Sequence, residues 1–489
     1  MSAWLGAALL AAIFIFLVQA LGLVKRGENV VFIAIESLDI ISSPRLSDEE
    51  KESKLQHNSK QLFGLFLLLA GGGAIALLVP IGILWLCEQA GWLSLKAVSD
   101  RAVSPLFIAA STLLFLLALY LKSRFISSSK SEKNSYSKLD QTLHKIAFKT
   151  YDAQTALAGF ENQRFSERLT HFKTARPVFI TALPRAGTTL LLECFARSPE
   201  FASHCYRDMP FVLIPCLWNS YSKIFQRDVK AQERAHGDGM KISPDSPEAL
   251  EEILWETFWP RHYQTDRIIP WSHERNEEFA KFFRSHMRKI SLLRCVSSPD
   301  STRYVSKNNA NIARIRLLGA LFPDAAIIIP FRHPLNHSAS LLQQHLNFLS
   351  IHKTDSFALE YMQAIGHHDF GQNLCPIDFD GWLDRRQSQS AESIVFWLEY
   401  WIASYAHFLK EKSDFLSFLN YDSLCKNPEA GLKAAADAVR ASDTKALVEN
   451  ARHIGRPRPK QIDTSAFSKS LLQKASRIYD DLKELSING

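Results

Sequence analysis

The sequence has no C-x-x-C pair. Its seven cysteines are scattered over 489 residues, so neither a zinc cluster nor a disulfide framework is legible, and a reducing compartment is favoured. It has no block of consecutive lysines and arginines, and the formal net charge of +7 is a mild excess for this length. That argues against a nucleic-acid-binding arm and suits an anionic small molecule or a membrane surface. It has no G-x-x-x-x-G-K-[ST] loop, which disfavours a Walker-type ATP or GTP site. Charge is absent from Trp4 to Val24, Leu62 to Leu86 and Pro105 to Leu121. Everything after Ser123 has ordinary globular composition.

Each charge-free stretch is about long enough to span a bilayer. Gly71-Gly-Gly73 and Pro80 interrupt the second, which neighbouring helices can compensate, and Tyr120 is placed as an interface anchor. No Lys or Arg precedes Trp4, unlike a signal peptide. Lys25, Arg26, Arg45, Lys51, Lys54 and Lys60 lie between the first and second stretches, only Lys96 and Arg101 between the second and third, and Lys122, Arg124, Lys130 and Lys133 after the third. This bias predicts an external N-terminus and a cytoplasmic C-terminal part. Ser47-Asp-Glu-Glu50 predicts a capping box opening a charged helix to about Gln61. The expected organisation is a transmembrane region over 1–125, a linker and helical lead-in over 126–175 and a soluble domain over 176–489. Ser127 to Ser135 is the polar linker, and apolar periodicity from Leu139 to Phe172 predicts a helix.

Pro177-Val-Phe-Ile-Thr-Ala-Leu-Pro-Arg-Ala-Gly-Thr-Thr-Leu-Leu-Leu-Glu193 organises the soluble domain. Its apolar start predicts a buried strand, Gly187 a tight turn, and Thr188 the N-cap of a helix. Backbone amides and the positive helix end converge there, a geometry that binds phosphate. Arg185 adds a permanent charge, and Thr188 and Thr189 add hydroxyls.

From Arg303 to Phe348 the pattern is strand (303–307), helix (311–321), strand (325–330) and helix (341–348). Such alternation predicts an α/β fold, a parallel sheet flanked by helices. Arg332 ends a strand at the sheet's ligand-binding edge, and Ser340 follows eight residues later. Ser203 to Phe211 mixes titratable and aromatic residues, with Asp208 a candidate proton acceptor and His204 the next candidate. Ser243 to Trp255 predicts a capped amphipathic helix. Trp255, Trp259, Tyr263 and Trp271 suit core packing better than an acceptor groove, and His262, His273 and Glu274 are weaker proton-transfer candidates. His333, His337 and His345 lack a carboxylate-rich context; they are expected to be solvated helix histidines, and no metal is expected. Arg456 to Lys460 predicts a basic loop.

Pro184-Arg-Ala-Gly-Thr-Thr189 resembles the 5′-phosphosulfate loop of sulfotransferases that use 3′-phosphoadenosine 5′-phosphosulfate (PAPS), in the form carried by tyrosylprotein-type and many bacterial members. Arg332 and Ser340 are similar to the Arg and Ser of that family's 3′-phosphate motif, R-x-P-x5-S, with His333 where an Asp is more usual. Phe322-Pro-Asp-Ala325 resembles the segment before that motif, and Tyr421 to Pro428 a structural element after it. The resemblance spans about 176–439. It implies a P-loop-like α/β domain that moves a sulfuryl group from PAPS, without metal, to a hydroxyl or amine acceptor. It further implies that Arg185, Ala186, Gly187, Thr188 and Thr189 cradle the 5′ side, that Lys307, Arg332 and Ser340 hold the 3′-phosphate, and that Asp208 takes the acceptor's proton. With a membrane anchor, the acceptor is expected to be a lipid or glycan. The competing readings are a P-loop-like nucleotide-dependent kinase and a non-catalytic membrane binding protein. No nucleic-acid partner is expected. The single N-x-[ST] sequon, Asn336-His-Ser338, falls inside the second motif, where a glycan would not be tolerated; this also predicts a cytoplasmic domain.

Overall fold

The computed structural model describes residues 3–23, scattered positions between 25 and 40, and 48–102, 138–222, 232–233, 241–272, 274–387, 390–411, 415–455 and 462–488. The chain forms two compact units, Met1–Thr142 and Leu143–Gly489.

The first unit contains α1 (Ala3–Ala20), α2 (Asp48–Gln89) and α3 (Leu95–Ala102). Ala7, Leu84 and Val98 form a small core between them. The charged segment and the second charge-free stretch form one 42-residue helix, continuous through Gly71 to Gly73 and Pro80. Phe63, Leu78 and Leu86 on it are more than half exposed. Among the described residues, Glu49–Gln89 is the helix long and apolar enough to cross a membrane, and the first stretch supplies the shorter apolar helix Leu9–Ala20. The third stretch, the polar linker, Ser47 and the 456–460 loop lie outside the described residues.

Where periodicity predicts one helix there are three short ones, Lys138–Phe148, Tyr151–Arg164 and Ser166–Leu169. The centre of the second unit is a five-stranded sheet of β1 (Val178–Ile180), β2 (Phe201–Ala202), β3 (Arg303–Lys307), β4 (Ala326–Phe331) and β5 (Leu416–Asn420), in the order β2-β3-β1-β4-β5. Every pairing is parallel, with Ile180 level with Lys307 on one side and Ile328 on the other. A parallel sheet is covered on both faces, so its strands read as apolar runs. Val178, Ile180, Val305, Ile328 and Leu419 enter one core with Leu191 and Phe195. Full burial of such a side chain contributes about 1.5–3 kcal/mol.

Helix α4 (Thr188–Ala196) carries the chain from β1 toward β2, and α7 (Ile315–Leu321) carries it from β3 back past β1 to β4. The two crossovers diverge at the C-terminal end of β1, the switch point where such sheets bind ligands. Between them lie α5 (Glu252–Phe258) and α6 (Glu277–Arg294).

The helix predicted from Ser243 forms only from Glu252. Glu251 is taken up by long-range bonds from Asn311 Nδ2 at 2.9 Å and the Tyr304 hydroxyl at 3.1 Å, and by a local one from Trp255 Nε1 at 3.1 Å. Buried carboxylate bonding outweighs local propensity here. The nearby aromatic residues are core: the buried Arg314 guanidinium lies 4.2 Å from the Trp255 ring and 4.6 Å from the Trp271 ring, and pairs with Glu252. His262 stacks on Trp271 at 4.0 Å.

Candidate active site

The β1–α4 loop is bent by two left-handed residues, Arg185 at φ +69° and Gly187 at φ +97°. Arg185 has no glycine's freedom, and such a conformation costs about 1–3 kcal/mol, which surrounding contacts must offset. The contacts are present. Helix α8 (Pro334–Thr354) places His337 Nε2 2.7 Å from the Pro184 carbonyl; only a protonated Nε2 can donate to it. Arg185 Nε donates to Ser340 Oγ at 3.4 Å, and Arg332 Nη1 donates to the Arg185 carbonyl at 3.0 Å. Burial pushes His337 down to about 3, with Arg332 acting the same way, so the ring stays neutral. The structure therefore brings the loop, Arg332 and Ser340 together.

Gly187, not Thr188, occupies the N-cap of α4, and no side chain caps that end. A β-carbon at Gly187 would run into the Tyr421 ring. The Arg332 guanidinium lies 4.8 Å from the same ring, and its Nε is buried without a protein partner. A cavity of about 370 Å³ opens here, lined by Arg185, Gly187, Thr188, Thr189 and Arg332 among others. Ala186, within the loop, is fully buried.

Lys307 also lines the cavity but does not group with Arg332. It ends β3, whereas Arg332 follows β4, and these strands flank β1 on opposite sides. Asp208 is absent from the lining. It is 2% exposed, accepts from the Cys205 amide at 3.0 Å, lies 3.4 Å from His204 Nδ1 and pairs with Arg294. Burial pushes its carboxyl up, but His204 and Arg294 outweigh that and hold it below the usual range. These contacts make Asp208 a structural anion rather than a group available to an acceptor. The α8 histidines are also not solvated: His337 and His345 are buried, and His345 Nδ1 accepts from the Gly371 amide at 3.1 Å.

Residues not singled out from sequence complete the β3 side. Thr188 Oγ1 lies 3.4 Å from Asn309 Oδ1, and Asn309 Nδ2 donates to Asp369 at 3.0 Å. Glu248 and His367 line the same side. Burial pushes Glu248 up, but His367, Lys307 and the Tyr206 hydroxyl outweigh it and hold the carboxyl below its usual range. Burial and Lys307 push His367 down. Gly366 and Gly371, at φ +75° and +69°, bound the segment carrying His367 and Asp369. Two glycines enclosing His-His-Asp were a readable turn signal. Glu248 was hidden inside an apparent helix. Among the described residues no cluster of His, Cys, Asp and Glu is arranged to hold a metal.

A parallel sheet whose switch point carries an uncapped helix end, two arginines and a lysine is an α/β arrangement that can hold a phosphate-type anion. Residues 177–440 match the model of the sulfotransferase family, and the chain belongs to that family. Among solved structures it is similar to sulfotransferase STF9 from Mycobacterium avium, at 13% identity over 71% of this chain and 85% of that one, TM-score 0.42. STF1 from Mycobacterium tuberculosis H37Rv matches at 12% identity over 71% and 87%, TM-score 0.36. The sulfotransferase domain from the curacin biosynthetic pathway matches at 14% over 64% and 98%, TM-score 0.29. No curated protein matches the chain.

Proposed function

We propose that this sulfotransferase takes its sulfuryl group from PAPS and delivers it to a hydroxyl or amine acceptor. The observation that supports this most is the joining of the β1–α4 loop to Arg332 through the 3.0 Å bond to the Arg185 carbonyl. It sets two anion-binding groups side by side, as a nucleotide with separate 5′ and 3′ phosphates requires. The residues fit that ligand: a cavity lined by Arg185, Thr188, Thr189 and Arg332, and a buried Arg332 Nε with no protein partner. When bound, the donor supplies a sulfuryl group whose leaving group is a phosphate. Arg332 and Ser340 hold the 3′-phosphate, Arg332 through a planar donor fork. The amides of Gly187 to Thr189, the Thr188 and Thr189 hydroxyls, Arg185 and Lys307 stabilise charge that grows on the 5′ side.

Isothermal calorimetry of the full chain with adenosine 3′,5′-bisphosphate in chelator tests this reading. Binding should survive the chelator, because these cationic side chains balance the phosphate charge. Loss of binding rescued by magnesium would favour the nucleotide-dependent kinase reading. Arg185→Ala should lower turnover on the order of 10²–10³-fold while bisphosphate affinity changes little, because its partner charge grows mainly in the transition state. Single-turnover kinetics beside a binding titration separate the two; equal losses in both would reject that role.

We also propose that α2 anchors the protein in a membrane, that the catalytic unit lies on the cytoplasmic side and that the acceptor is a membrane lipid or glycan. The length and exposed apolar surface of α2 support the anchor, and the distribution of basic residues supports the side. Protease should not reach the catalytic unit from outside sealed right-side-out vesicles.

A further inference from the structure

Resting on the sulfuryl-transfer reading, we infer that Glu248 is the catalytic base that takes the acceptor's proton. The strand order divides the cavity at β1. Arg332 and Tyr421 lie on the β4–β5 side, and Lys307, Asn309, Glu248 and His367 on the β3 side. With the 3′-phosphate held at Arg332, the acceptor must approach from the β3 side. Glu248 is a fixed carboxylate there. Its amide donates to the His204 carbonyl at 3.0 Å, its neighbour Pro247 bridges to Cys205, and its Oε1 accepts from the Ala249 amide at 2.9 Å. Two other carboxylates line the cavity: Asp369, which accepts from Asn309, and Glu193, which lies 3.7 Å from Arg197. A proton on His367 would add a second cation beside Lys307, whereas a proton on Glu248 removes an anion.

The step balances as follows. The acceptor oxygen forms a bond to sulfur while the bond from sulfur to the 5′-phosphate oxygen breaks. The electron pair of that broken bond stays on the phosphate, and the acceptor's proton passes to Glu248. Lys307 gives the timing. His367, Lys307 and the Tyr206 hydroxyl together hold the Glu248 carboxyl ionised before transfer, and growing negative charge on the leaving phosphate then offsets Lys307. Glu248 thereby becomes a stronger base as the acceptor proton becomes more acidic.

The test uses the full chain, labelled PAPS and phenols of graded acidity ending at a nitrophenol that is already ionised in mildly alkaline buffer. Glu248→Gln, which keeps the shape and the bond from Ala249, should bind adenosine 3′,5′-bisphosphate like the wild type. It should lose about 10²–10⁴-fold on weakly acidic phenols and match or exceed the wild type on the nitrophenolate, which needs no base. A second readout needs no turnover. In the dead-end complex with the bisphosphate, absorbance should show bound nitrophenol staying protonated to higher pH in the wild type than in Glu248→Gln, because a neighbouring carboxylate disfavours the phenolate. A uniform loss across the phenols, or no loss, would overturn the assignment, as would identical nitrophenol titrations. If Glu248→Gln fails to fold, Glu248→Asp must show a partial, acidity-dependent loss for the proposal to stand. Bisphosphate binding by a wild type that transfers label neither to any phenol nor to membrane lipid and glycan extracts would instead reject the sulfuryl-transfer reading, and this inference with it.

Discussion

Replacing Arg332 with alanine should weaken binding of adenosine 3′,5′-bisphosphate by about 2–5 kcal/mol, the cost of leaving one partner of a buried charge pair unmatched. At about 1.4 kcal/mol per tenfold, the dissociation constant should rise between tens-fold and thousands-fold. Three contacts are lost together: the 3.0 Å donation to the Arg185 carbonyl, the approach to the Tyr421 ring at 4.8 Å, and the buried Nε donor. The first two hold the left-handed loop, so the 5′ subsite should weaken as well. Arg332→Lys keeps the charge but not the planar fork, and should fall between alanine and the wild type. Calorimetric titration of the three proteins checks this order. Equal affinity in all three would remove Arg332 from the site.

Asp208→Asn should destabilise the catalytic unit by about 3–5 kcal/mol, because it leaves the Arg294 charge without its buried partner. Asparagine keeps the carbonyl oxygen that accepts from Cys205, so the turn itself survives. Sulfuryl transfer per folded molecule should stay near the wild-type value, in contrast to Glu248→Gln. The acid dependence should change too. The Asp208 carboxyl is held below its ordinary range. Its contribution is therefore complete above the unfolded carboxylate's pKa, about 3.9, and is lost as pH falls through its lower folded value. The variant should lose that part of the acid sensitivity. Thermal melts across the acid range, each paired with a bisphosphate titration, read both effects. Abolished turnover in a protein that melts normally would return the base to Asp208.

Other buried pairs follow the same logic without touching the cavity. Lys289 Nζ lies 2.6 Å from Glu161, both essentially unexposed, and the Leu217 amide donates to the same carboxylate at 2.7 Å. This ties the helical lead-in to α6, so the predicted boundary near residue 175 is not a break in packing. Short-range periodicity finds a helix but not the buried charge that fastens it.

By itself the sequence determined the β1–α4 unit, the β3–α7–β4–α8 series and the family. Each depends on local signals: an apolar run for a buried strand, glycine for a left-handed turn, and spacing that keeps Arg332 and Ser340 near one helix start. The long apolar helix was legible for the same reason, since composition over some twenty residues decides it. Only the tertiary structure decided which carboxylates line the cavity, Glu193, Glu248 and Asp369 but not Asp208. Glu248 reaches the cavity because Glu251 and Glu252 are captured by partners 53 to 62 residues away, which delays the helix and leaves Glu248 in an irregular stretch. Lys307 and Arg332 look equivalent in sequence, each at the end of a strand. The order β2-β3-β1-β4-β5 puts them on opposite sides of the loop. The physical reason is that strand order and buried charge pairing arise from contacts between residues distant in the chain, and no local propensity encodes such contacts.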